Sequence, residues 1–79
     1  MSSFEKVQMI IADIMEVPIN SVNINSHKND FEKWDSLSQL NLVMEIEASF
    51  NISLDLEEMS LMNSVRDILN LIEKHTQKG

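Results

Sequence analysis

Three stretches of this chain repeat apolar residues at three- and four-residue steps, and each follows a side chain able to cap a helix. In the first, Phe4, Val7, Ile11 and Ile14 form a stripe that Ile10 and Met15 widen, and Ser2 and Glu5 have capping-box spacing. Val17-Pro18 ends it, because the residue before a proline avoids the α region. In the second, Leu37, Leu40, Leu42, Val43, Met44, Ile46 and Phe50 cover well over half of a helical wheel. A helix so widely apolar is expected to be central, packed by several neighbours. Either Asp35 or Ser36 serves as its N-cap, Ser36 and Gln39 again having capping-box spacing, and Asn51 closes it in place of a glycine. In the third, Ser64 caps Val65, Ile68, Leu69 and Ile72, with Lys74, His75 and Lys78 where cations favour a helix C-terminus.

Between these stretches the pattern changes. Residues 18–34 have no sustained period and carry Asn20, Asn23, Asn25 and Asn29, which suit turns, while Ile19, Val22 and Ile24 pin the segment to a core. A connection this long in so small a chain is functional or packed by its own side chains. Ile52-Ser53-Leu54 is a short alternating link, and Asp55 with Glu58 caps a brief helix that ends near Met62. With no internal repeat and no internal boundary, residues 1–79 form one all-α domain, a small bundle of three long helices plus a short third helix.

Composition narrows the chemistry. At 79 residues and 9.1 kDa, about 60–65 % of the unfolded surface can be buried, which leaves no room for a second domain with its own cleft. Gly79 is the sole glycine, so no Gly-rich phosphate loop and no G-x-S-x-G elbow can be written. The absence of cysteine excludes disulfides, Cys-based zinc sites and thiol nucleophiles. His27 and His75 have no partner at metal-ligand spacing and read as surface or cap histidines. Asp30-Phe31-Glu32-Lys33-Trp34-Asp35 places Lys33 and Trp34 where a calcium loop needs ligands and glycine. The longest aliphatic run, Met9-Ile10-Ile11-Ala12, is far too short to span a bilayer, and no signal peptide is evident. A cytoplasmic, non-catalytic monomer is the expectation.

The net charge of −7 argues against nucleic acid and membrane-surface partners. Its distribution is uneven: residues 30–58 hold eight acids against Lys33 alone, while the acids and bases elsewhere cancel. This stretch is either a solvated surface or a docking face for basic partners. Within it stands Asp35-Ser36-Leu37, which follows the long loop and opens the central helix.

In that setting the chain resembles the acyl carrier protein family over nearly all of residues 4–75. The resemblance rests on Asp35-Ser36-Leu37, the run Leu42 to Ile52, Asp55-Leu56-Glu57-Glu58-Met59, and Asn63 to Ile68. It implies that Ser36 accepts 4′-phosphopantetheine from coenzyme A through a phosphopantetheinyl transferase, with Asp35 and Leu37 beside it. The chain would then shuttle thioester-bound acyl groups between loading and transfer enzymes of fatty acid, polyketide or other specialised acyl synthesis. Those enzymes would carry basic docking faces, met by Trp34, Met44, Glu45, Glu47, Glu57 and Glu58. Lys33 replaces the usual glycine two positions before the Asp, and Ser38, Asn41 and Ala48 stand where carriers of primary fatty acid synthesis commonly have acids. The Trp-Asp-Ser-Leu form looks like that of specialised stand-alone carriers. Trp34 either anchors the loop on the core, which its size favours, or meets a partner. The internal methionines are pliable core filler, or they let the bundle open around an acyl chain. The competing reading is an unmodified acidic helical adaptor in which Ser36 is only an N-cap.

Overall fold

The computed structural model describes residues 2–76; the cation expected at Lys78 lies outside them. Four α-helices follow in order: α1 (Ser3–Met15), α2 (Ser36–Phe50), α3 (Leu56–Ser60) and α4 (Val65–Thr76). The described residues contain no β-strand, and they measure 36 × 27 × 20 Å.

Each helix boundary has a local cause. Ser2 accepts from the Glu5 amide while Glu5 accepts from the Ser2 amide, closing the capping box at the start of α1. Asp55 and Glu58 repeat that exchange at α3, and Ser64 Oγ accepts from Asp67 N–H at α4. Glu16 and Asn51 end α1 and α2 in the left-handed region, at φ 57° and 55°. Asparagine tolerates that conformation and glutamate does so at a cost.

The core is built from Val7, Ile11 and Met15 of α1, Leu42, Val43 and Ile46 of α2, and Val65, Ile68, Leu71 and Ile72 of α4. Val22, Phe31, Trp34, Leu54 and Met62 complete it from the connections. The backbone of α1 runs close to both α2 and α4, while α2 packs on α1 and is tied by hydrogen bonds to Trp34, Met59, Met62 and Leu54. Only one stripe of α2 faces inward. A second, Leu37, Leu40 and Met44 at i, i+3 and i+7, lies open to solvent. The wide apolar arc of α2 is thus two stripes with different destinations. Met9 and Met44 are likewise exposed, whereas Met15 and Met62 are buried, so core filling describes only some of the methionines.

The long connection is packed rather than loose. Gln8 of α1 donates to the carbonyls of Ile19 and Val22, holding Val22 in the core. Further on, Lys28 N–H donates to Asn63 O and Val65 N–H to Ser26 O, an antiparallel pair that ties the connection to the start of α4. His27 caps a 3₁₀ turn at Lys28–Asp30, its ring Nδ1 accepting from Asn29 N–H. The chain reaches α2 with Phe31 and Trp34 buried and their ring centres 5.9 Å apart.

Candidate functional site

Ser36 is the first residue of α2, and Asp35 is its N-cap: Asp35 Oδ1 accepts from Ser38 N–H at 2.9 Å, and Asp35 O accepts from Gln39 N–H at 2.8 Å. The choice between the two caps is thereby resolved. With Asp35 capping, Ser36 Oγ is exposed and makes no hydrogen bond among the described residues. The amide of Ser38 holds the Asp35 carboxyl below the usual carboxylate range, so a negative charge sits beside that hydroxyl. Of the first amides of α2, which precede the helical ladder, that of Ser38 is already taken by the Asp35 carboxylate.

A cleft of about 320 Å³ adjoins the hydroxyl. Trp34, Asp35, Ser36 and Gln39 form one wall; Lys28, Asn29, Met59, Ser60 and Asn63 form the rest. Gln39 has no part in a capping box with Ser36. Its Oε1 accepts from Trp34 Nε1–H, and its Nε2 donates to Met59 O at 2.9 Å and Met62 O at 3.2 Å. This crosslink had no sequence signal beyond the polarity of one residue on an inward stripe.

The residues expected to meet partners divide into two groups. Met44 is 60 % exposed, Leu37 is 70 % exposed, and Glu45 and Glu57 project into solvent. Leu56, at the start of α3, is also exposed. Glu47, Glu58 and Trp34 are committed inward. Glu47 Oε2 accepts from Leu54 N–H at 2.7 Å and so secures the link between α2 and α3. Glu58 is 6 % exposed and takes Lys74 Nζ at 3.0 Å and His75 Nε2 at 2.7 Å on one oxygen. Its carboxyl is held down to about 2, first by the Asp55 amide, then by Lys74 and His75. Trp34 is 8 % exposed with its N–H satisfied, which makes it a loop anchor. Packing and hydrogen bonding thus already engage Glu58 and Trp34 within the chain.

Residues 5–72 match the family described as the phosphopantetheine attachment site. The chain is 36 % identical over 75 residues to an acyl carrier protein of Clostridium acetobutylicum, covering 95 % of this chain and 97 % of that one. It is 31 % identical over 71 residues to an acyl carrier protein of Petrotoga mobilis, covering 90 % and 84 % of the two chains. It is also 39 % identical over 57 residues to the acyl carrier protein AcpXL of Mesorhizobium japonicum, covering 72 % and 61 %.

Proposed function

The chain belongs to the acyl carrier protein family, whose members bear covalent 4′-phosphopantetheine and catalyse nothing themselves, and from that membership we propose that Ser36 Oγ is the attachment point. The observation that carries this assignment is the division of labour at the head of α2. Asp35 does the capping, so the Ser36 hydroxyl is exposed and uncommitted. The adaptor reading gave Ser36 no purpose but the cap, and that purpose belongs to its neighbour.

Attachment forms one Ser36 Oγ–P bond, breaks the diphosphate P–O bond of coenzyme A, and releases adenosine 3′,5′-bisphosphate and the hydroxyl proton. A phosphopantetheinyl transferase performs this step. The role of this chain is presentation: the capped helix start holds Oγ outward. Asp35, kept ionised, adds a negative charge at the point where the transferase brings its metal-bound coenzyme A. When bound, the group supplies a thiol of ordinary pKa, about 8.5, that carries acyl cargo as a thioester. In a chain without cysteine it has no thiol competitor.

Acyl-handling enzymes then meet the surface around Ser36. The exposed stripe Leu37, Leu40 and Met44 offers an apolar centre, and Glu45 and Glu57 offer an acidic rim. That combination suits partners with an apolar contact framed by Lys or Arg. The departures at Ser38, Asn41 and Ala48 thin the acidic rim and favour a specialised acyl pathway over primary fatty acid synthesis. Intact mass tests the attachment: incubation with a transferase and coenzyme A adds one arm of roughly 340 Da. Ser36→Ala abolishes the gain. A full-sized gain on Ser36→Ala overturns the assignment.

A further inference from the structure

Resting on Ser36 as the attachment point, we propose that Lys28 is the counter-ion of the attached group: its ammonium pairs with the phosphodiester on Ser36 and draws the base of the arm into the adjoining cleft. Of the six Lys and Arg side chains, Lys78 lies outside the described residues, and four of the other five are engaged. Lys6 Nζ lies over the Phe50 ring at 5.4 Å, Lys33 is 2.6 Å from Glu16, Arg66 donates to Asn25 Oδ1, and Lys74 is 3.0 Å from Glu58. Among the described residues the Lys28 side chain alone of these has no ion pair or hydrogen bond, and it lines the same cleft as Ser36. Its backbone is fixed. Lys28 N–H donates to Asn63 O at 2.8 Å, its carbonyl accepts from Phe31 N–H at 3.1 Å, and His27 caps the turn that it opens. The ammonium is therefore rooted at the edge of the cleft.

The nearby acids are turned elsewhere. Asp35, the one acid lining the cleft, accepts from Ser38 N–H, and Asp30, in the same turn as Lys28, accepts from His27 N–H. A phosphodiester on Ser36 adds roughly one negative charge beside Asp35, and a lysine ammonium answers it as a point charge. The exposed Asn29 carboxamide, also without a partner among the described residues, borders the cleft and offers a donor to the hydroxyl and carbonyl that follow the phosphate in the arm. Helix geometry sets the direction. At about 100° per residue, Gln39, which lines the cleft, stands about 60° to one side of Ser36, whereas Leu40, Met44 and Leu37 stand about 40–100° to the other. Pairing with Lys28 thus draws the base of the arm away from the apolar stripe and leaves that stripe uncovered.

The test compares holo protein of the wild type, Lys28→Ala, Lys28→Arg and Lys6→Ala, each loaded with a transferase and coenzyme A and verified by mass. Lys28 is exposed and its hydrogen bonds among the described residues are made by its backbone, so Lys28→Ala keeps the fold. Phosphorus NMR relaxation reports how closely the phosphodiester follows the tumbling of the domain. Loading the wild type should shift the Lys28 ε-methylene and Asn29 carboxamide resonances. The transverse relaxation rate of its phosphorus should exceed that of Lys28→Ala about twofold at low salt, as suits one exposed ion pair. Lys28→Arg should retain that excess, and about 1 M salt should erase it. Lys6→Ala, which removes the same charge from α1, should leave it unchanged. Equal rates in the wild type and Lys28→Ala, an equal fall in Lys6→Ala, or a Lys28 resonance indifferent to loading overturns the pairing. Absence of any mass gain in the wild type overturns the attachment reading instead, and this proposal with it.

Discussion

At position 40 the chain keeps a leucine in water, and two positions later it keeps one wholly out of it. Leu40 is about half exposed, while Leu42 has no accessible surface. The difference follows from the turn of the helix, since two residues rotate the side chain by about 200°. Truncation should separate the two. Leu42→Ala leaves a cavity in the core and is expected to cost about 3 kcal/mol, a large share of the stability of so small a domain. Leu40→Ala should cost under about 0.5 kcal/mol. Urea denaturation of both variants measures this, and comparable losses would place Leu40 in the core after all. If Leu40 serves docking, its variant instead weakens turnover by partner enzymes. At this scale the sequence was a partial guide. Apolar spacing located both leucines on α2, and could not say that one stripe served the core and the other a partner, because both obey the same helical period. Ser36 was legible through its neighbours, whereas the identity of its cap required coordinates, since Asp and Ser cap equally well.

Among the elements, α3 depends most on a single residue. It is one short helix, and Glu58 joins it to the last turn of α4 through Lys74 and His75 while closing its own capping box with Asp55. The Glu58 carboxyl titrates at about 2 in the folded chain, below its ordinary 4.5. A depressed carboxylate contributes stability that is complete above the unfolded value and is lost as pH falls through the folded one. Acidification from about 4.5 toward 2 should therefore loosen α3 from α4, within the overall acid transition. Glu58→Gln removes that contribution at every pH. Plotting Tm against pH, the gap between wild type and Glu58→Gln should be level above about pH 5 and narrow below it. Parallel curves down to pH 2 would show that the charge of Glu58 does not secure α3. The four-helix order and the N-caps of α1, α3 and α4 were readable from local spacing. The Glu58–His75 and Gln39–Met59 ties were not, since they join positions 17 and 20 residues apart on different elements.

For the molecule as a whole, the central question is which part of the −7 a partner meets. Residues 30–58 hold all of it in sequence, yet the fold withdraws some of the acids from use. Glu58 of α3 is buried and paired with Lys74 and His75 of α4, Glu47 holds the Leu54 amide, and Asp30 accepts from His27 N–H. The single cation of the stretch, Lys33, is drawn 2.6 Å from Glu16 on the α1 side. What remains exposed with no side-chain hydrogen bond or ion pair among the described residues is Glu32, Glu45 and Glu57, with Asp35 capping α2 next to Ser36. Glu47→Lys is consequently a poor probe of docking, because it also frees the α2–α3 link. Glu45→Lys is a clean one: it reverses an exposed charge that has no ion-pair partner among the described residues. Reversing it should slow loading by the transferase about tenfold at low salt, mostly in the encounter rate, with the difference shrinking as ionic strength shortens the screening length to about 8 Å. Glu5→Lys carries the same change in net charge on the far end of α1, where Glu5 serves only the Ser2 capping box. It should fray α1 and leave loading unchanged. Stopped-flow loading of both variants across a salt series distinguishes local from global electrostatics. Equal slowing by the two would mean that partners respond to net charge alone, and the acidic rim of α2 and α3 would then be a solvated surface with no docking role.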